Sequence, residues 1–222
     1  MGYTNSSLVD YVKISPNKTE NRKHIIDTIT IHCVVGQCSV ERLGEIFAPT
    51  KRKASSNYGI GYDGKIGMYV EEKDRSWCSS NSVNDHRAIT IEVASDTKPP
   101  YKVNDVALDS LIKLLVDICK RNNIKELKWL NDKSLIGQVE KQNMTVHKWF
   151  ANKDCPGEYL LNKHPYIVKE VNKKLQLLNN ETEKEVIYCV QVGAFKNKTY
   201  AENMLKSLKK KGFNGFITTK SS

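Results

Sequence analysis

Hydrophobic positions in this chain follow two periods, and the change between them marks out its elements. Thr28 to Val35, TITIHCVV, is β-branched and apolar, and Arg87 to Ser95, RAITIEVAS, has the same character. Runs of that length and composition predict buried strands. Between them, Ser39 can cap a short helix through Phe47, with Leu43, Ile46 and Phe47 on one side. Ser55 to Val70 predicts a hairpin turning at Asp63-Gly64. Pro99-Pro100 then breaks the chain. Asn104 or Asp105 opens a long helix to about Asn122, where Val106, Leu108, Leu111, Ile112, Leu115, Val116 and Cys119 recur at helical spacing. Residues 1–24 are polar with a turn at Pro16-Asn17-Lys18, and 125–146 are polar and mostly loop. Pro165 fits the first turn of a last helix that turns Ile167, Val168, Val171, Leu175 and Leu178 inward.

Asn179 to Glu185, NNETEKE, lacks apolar periodicity and reads as a linker. After it, Val186 to Phe195 predicts a strand. Thr199 to Glu202 forms a capping box for a helix through Lys211, Gly212 ends that helix, and Gly215 to Thr218 predicts a short strand. The pattern therefore divides the chain into a domain at 1–178, a linker at 179–185 and a small βαβ piece at 186–222, with an α/β fold class.

Composition narrows the partners. Hydrophobic residues make up 39% and charged residues 27%, enough for a packed core under a solvated surface. The net charge of +10 and pI near 9.2 attract polyanions: nucleic acid, anionic membranes or anionic wall polymers such as teichoic acids. The lysines are spread out and form no basic arm, which weighs against nucleic acid. No apolar run approaches the ~20 residues of a membrane span, and no signal peptide is visible at the N-terminus. Six cysteines without tight pairs fit a reducing cytosol, and Cys119 and Cys189 read as buried core thiols.

The candidate chemistry rests on three residues. His32 closes a predicted strand, and His147 and Cys155 bracket an irregular loop ending in Cys155-Pro156-Gly157. Imidazole and thiolate are preferred zinc ligands, and three of them leave a fourth position for water. A lone histidine at a strand end is more often structural, and a lone cysteine before Pro-Gly is more often a buried thiol, so spacing alone leaves both readings open.

Four blocks add context: TITIHCVVG, NYGIGYDGKIGMYVEEKDRSWCSS, NDHRAITIEVASD and MTVHKWFANKDCPGEYL. In that order they resemble the zinc N-acetylmuramoyl-L-alanine amidases of the amidase-2 family. That family includes phage lytic amidases, cytosolic anhydromuropeptide amidases and the eukaryotic peptidoglycan recognition proteins. The resemblance covers about Ile25 to Leu178 and implies a central, mostly mixed sheet flanked by helices. It implies Zn2+ on His32, His147 and Cys155, with Asp154 a bystander. It aligns Glu92 with a family glutamate and Lys153 with a family lysine.

The roles of those two can be argued chemically. Glu92 would take a proton from the attacking water and pass it to the leaving amine, and Lys153 would stabilise the oxyanion. The plainer readings are a surface carboxylate and a solvated lysine. The tyrosine that assists catalysis in many members falls on Ser56 here, which leaves Tyr58 as a groove-lining, substrate-binding candidate. Trp77 is a sugar or peptide platform or a core residue, and Cys78 an inert thiol or a neighbour of the metal. His24, His86 and His164 have no motif support.

The tail resembles the first half of a SPOR repeat, a module that binds glycan strands lacking stem peptides. The implied function is cleavage of the amide between N-acetylmuramic acid and L-alanine in bacterial peptidoglycan, by an endolysin or autolysin acting at the wall after release from the cytoplasm. The alternative is a non-catalytic muropeptide-binding module.

Overall fold

The computed structural model describes residues 2–182 and 190–219, which fall into two compact units, Met1–Thr182 and Glu183–Ser222. A six-stranded sheet organises the first. Its strands are β1 (Tyr11–Val12), β3 (Thr28–Cys33), β4 (Tyr58–Ile60), β5 (Ile66–Met68), β7 (Ala88–Val93) and β8 (Met144–Thr145), in the order β1-β5-β4-β7-β3-β8. Only the β4–β5 hairpin is antiparallel, so the sheet is mixed, as expected. Two further short strands, β2 (Lys18–Thr19) and β6 (Arg75–Ser76), pair separately.

The register of β3 on β7 sets up everything that follows. The two segments, TITIHC and AITIEV, lie parallel and match residue for residue from Thr28↔Ala88 to His32↔Glu92 and Cys33↔Val93. Side chains alternate across a sheet, and parallel partners share a face. Ile29, Ile31, Ile89 and Ile91 enter the main core, together with Leu111, Leu115 and Ile118 of α3 (Asp105–Arg121) and Ile167 and Val171 of α4 (Gly157–Thr182). The alternate positions form a buried polar layer. Thr30 meets Thr145 at 2.8 Å, Asn84 bridges both, and Thr90 meets Ser76 at 2.7 Å and Asn57. His32 and Glu92 are the last two residues of this layer.

Several expectations hold. The first helix, α1 (Val40–Phe47), is capped by Ser39, and its Leu43 and Phe47 pack on Tyr69. Asn104 caps α3 by accepting from the Ala107 N–H at 2.8 Å. The hairpin turns at Gly64, whose φ of +82° suits glycine.

Others change. The polar N-terminal stretch contributes β1 and β2, strands too short to show a period. A short helix, α2 (Ser82–Arg87), precedes β7. The last helix begins at Gly157, so Pro165 sits inside it. Leu160, Ile167, Val171 and Leu175 bury one face along its length, and that packing carries the helix across the proline. The helix also takes in residues 179–182, the first four of the stretch read as a linker. Among the described residues no helix is long and apolar enough to cross a membrane.

In the second unit, α5 (Lys198–Lys210) is capped by Asn197, which accepts from Thr199 N–H at 2.8 Å, and not by Thr199 itself. Gly212, with φ of +85°, follows the helix end. Residues 190–195 and 213–219 form no strand among the described residues, because a strand exists only where a ladder pairs it. The first part of that predicted strand, with Cys189, lies outside the described residues.

Candidate metal centre

His32 reaches the end of β3 fully buried, beside Glu92 on β7. The second histidine opens a 3-10 turn, His147–Trp149, immediately after β8, the strand that flanks β3 on its other side. The loop behind that turn folds back on itself. Ala151 N–H donates to His147 O, Lys148 N–H to Cys155 O at 3.0 Å, and Gly157 N–H to Asp154 O at 2.6 Å. Gly157 has φ of +79°, and a Cβ there would lie 2.7 Å from the Tyr101 ring, so the residue after Cys155-Pro156 must be glycine.

This local folding brings Cys155 Sγ to 3.3 Å from His32 Nδ1 and sets the His32 and His147 rings 5.1 Å apart between centroids. The ligand atoms of His32, His147 and Cys155 all lie within 4.8 Å of one another. A tetrahedral ion with bonds of about 2.0–2.3 Å spaces its ligand atoms roughly 3.5 Å apart, so the three need only a small closure to hold one. Two imidazoles and a thiolate suit zinc by donor type.

The electrostatics agree with that fit. Burial, reinforced by neighbouring His147, pushes His32 down to about 3, and His147 is lowered by burial and by Lys153. Both rings are therefore neutral near pH 7, the form a metal requires. The Cys155 thiol is held well above its usual range by a hydrogen bond with Cys33, by burial and by Glu92, so a bound cation must displace its proton. Ser80, whose φ is +63°, places its hydroxyl 3.1 Å from His147 Nε2 and orients that ring. Nothing in the sequence marks Ser80, because the left-handed conformation is usually supplied by glycine or asparagine.

His147 and Glu92 reach a cleft of about 610 Å³ whose wall also includes Arg52, Arg75, Trp77 and Lys153. Burial lifts the Glu92 carboxyl to about 8, with Cys78 and Arg52 opposing. Trp77 is half-buried at the cleft, its indole N–H donating to Thr19 Oγ1 at 2.9 Å. Lys153 is exposed at the cleft, and Asp154 lies outside the donor trio.

Tyr58 corrects the sequence reading. It is fully buried on β4, its hydroxyl donates to Glu72 Oε1 at 2.7 Å and accepts from Ser6 N–H at 2.9 Å, and it does not line the cleft. The inward alternation of β4 dictates this burial. His24 bonds to the neighbouring Ile25 carbonyl, His86 accepts from the distant Lys23 N–H at 3.1 Å, and His164 packs on Trp129 inside the protein; none joins the donor cluster.

Comparison with known proteins gives the same outline. The family model described as N-acetylmuramoyl-L-alanine amidase matches residues 21–158, and that of the SPOR domain matches residues 184–222. No curated protein matches the chain. Among solved structures, a mutant endolysin from Bacillus subtilis aligns with a TM-score of 0.52 at 17% identity, over 73% of this chain and 99% of its own. An endolysin N-acetylmuramoyl-L-alanine amidase from Clostridium intestinale aligns at 0.50 and 18%, over 77% and 99%. The Drosophila peptidoglycan recognition protein SD aligns at 0.51 and 18%, over 70% and 94%. At these identities the structures establish a shared fold.

Proposed function

The chain belongs to the N-acetylmuramoyl-L-alanine amidase family, and from that premise we propose that it hydrolyses the amide between N-acetylmuramic acid and L-alanine in bacterial peptidoglycan, using a zinc ion on His32, His147 and Cys155. The observation that carries this reading is the convergence of those three side chains beside Glu92 at an open cleft. Zinc in that position would supply Lewis acidity toward the scissile carbonyl and lower the pKa of a water.

The protein's own groups do the rest. Glu92, desolvated and raised toward neutrality, is matched to take a proton from the attacking water and return it to the departing amine. Lys153, at the cleft, donates to the carbonyl oxygen as negative charge develops there. Trp77 offers a flat face at the cleft for the sugar or peptide. The SPOR domain at 184–222 and the basic surface would hold the enzyme on glycan strands and anionic wall polymers.

Digestion of purified peptidoglycan tests the reading. Turbidity should fall, each cut should expose a new L-alanine amino terminus, and a chelator should stop the reaction until zinc is restored. Hydrolysis that persists without metal would defeat the mechanism, and tight muropeptide binding without any product would favour the recognition module instead. Deletion of 185–222 should weaken retention on insoluble peptidoglycan; unchanged retention would remove the tail from wall binding.

A further inference from the structure

Four side chains with metal-ligand atoms, not two, gather around His32. Besides the trio above, the ligand atoms of His32, Cys78 and Glu92 also lie within 4.8 Å of one another. His32 is common to both sets. Its Nδ1 is turned to Cys155 Sγ at 3.3 Å, while its Nε2 is buried and has no hydrogen-bond partner. Glu92 shows the same pattern. Its Oε1 has only a long contact with Cys78 Sγ at 3.8 Å, and its buried Oε2 has no partner. Buried polar atoms are nearly always paired, so two orphans within one small group of donors ask for an explanation. The polar layer beneath them has no such gap, since Thr30, Thr90, Asn57 and Asn84 all have partners.

We propose that His32, Cys78 and Glu92 form a second metal position, filled by a thiophilic divalent cation such as zinc once the first is occupied, and that filling it stops hydrolysis. The inference rests on the zinc reading above, because Nδ1 of His32 must be engaged with the first ion for Nε2 to serve the second. Imidazole, thiolate and carboxylate are all zinc donors, and three of them again leave room for an outside ligand. Loading the second ion releases the Nε2 proton of His32 and the thiol proton of Cys78 to solvent. It also takes up the Glu92 carboxylate, which can then no longer relay a proton between water and amine. Cys78 is therefore a residue through which metal supply sets the activity of the enzyme.

Titration of the metal-free full-length chain with zinc tests this, with bound metal counted after desalting and peptidoglycan hydrolysis measured at each point. Wild type should bind two equivalents, its activity rising over the first and falling by about 10²-fold over the second. Cys78→Ala and Cys78→Ser, each checked for a normal melting transition, should bind one and keep the activity they reach. A parallel cobalt titration, read by thiolate-to-metal absorption, should double that band on the second equivalent in wild type and not in either variant. Saturation of wild type at one equivalent, or two equivalents in both variants, overturns the second position while leaving the first intact. No binding at all overturns both.

Discussion

Two glutamates, Glu72 and Glu92, are sunk into the same unit and are treated in opposite ways. The Glu72 carboxylate is fully buried and fully served: it accepts from Tyr58 Oη at 2.7 Å, Arg121 Nη2 at 2.6 Å and Asn122 Nδ2 at 3.1 Å. Around it, Arg22 clamps the carbonyls of Glu72, Asp74, Asp85 and Ala88, and Arg121 also reaches Asp117 at 2.8 Å. Glu92 has one weak partner and an orphaned oxygen, next to a histidine with an orphaned nitrogen. A buried carboxyl group with both oxygens paired has little left to offer a ligand and serves the fold. A buried carboxyl left unsatisfied is held in readiness for an ion, a water or a substrate.

Breaking the second region should have the larger effect. Cys155→Ala removes a proposed metal ligand and should lower hydrolysis by at least about 10⁴-fold, because water with its ordinary pKa of 15.7 is a poor nucleophile. Metal retained by the purified variant should fall in step; full activity in a metal-poor sample would sink the assignment. Glu92→Gln keeps the shape and loses the base, and should cost about 10²–10⁴-fold in kcat with metal still bound.

Glu92 also makes a stability prediction for the metal-free protein. Its carboxyl, with an ordinary value of 4.5, is raised to about 8 by burial. Between those values the folded chain keeps a proton that the unfolded chain has released. Stability must therefore fall as pH climbs from about 4.5 to about 8 and level off beyond. Melting curves of wild type and Glu92→Gln should diverge across that window, with the glutamine variant the more stable at the alkaline end. Parallel curves would show that the carboxyl is solvated. Against this, Glu72→Ala strands Arg121 and Tyr58 and should destabilise by about 3 kcal/mol, while the folded fraction retains its metal and its kcat.

The sequence made one of these regions far easier to read than the other. TITIHC and AITIEV announce themselves as strands through β-branched residues, and sliding one on the other already places His32 opposite Glu92. Convergence of Cys155 on His32 is another matter. It depends on β8 pairing with β3 and on a loop that closes through backbone hydrogen bonds, neither of which leaves a periodic trace. Four ordered blocks, not spacing, carried that inference. The buried role of Tyr58 is hidden from the sequence for a related reason. Tyr58 sits in a hairpin, and the partners of its hydroxyl, Glu72 and Ser6, come from a loop and an N-terminal stretch with no pattern of their own. Local period reports which face of an element is apolar; it is silent about polar atoms that find each other across 14 to 66 residues.

The smallest predicted effect probes how firmly the unsatisfied region is held. Ser80 occupies a left-handed backbone position, and its hydroxyl lies 3.1 Å from His147 Nε2. With Nε2 engaged by the hydroxyl, Nδ1 is left free for the proposed metal, and loss of an outer contact of this kind costs about 10–100-fold in metal affinity. Ser80→Ala removes the contact without changing the backbone strain, and Ser80→Gly removes the contact and relieves the strain. If orientation of His147 is what matters, both variants should bind zinc about tenfold more weakly and recover full kcat at saturating metal. If only Ser80→Ala weakened binding, the strained turn would be the determinant and the hydroxyl a bystander. Unlike Glu72, whose three partners share the loss of any one, His147 has a single side-chain hydrogen-bond partner among the described residues, so the effect of this one bond should be measurable by itself.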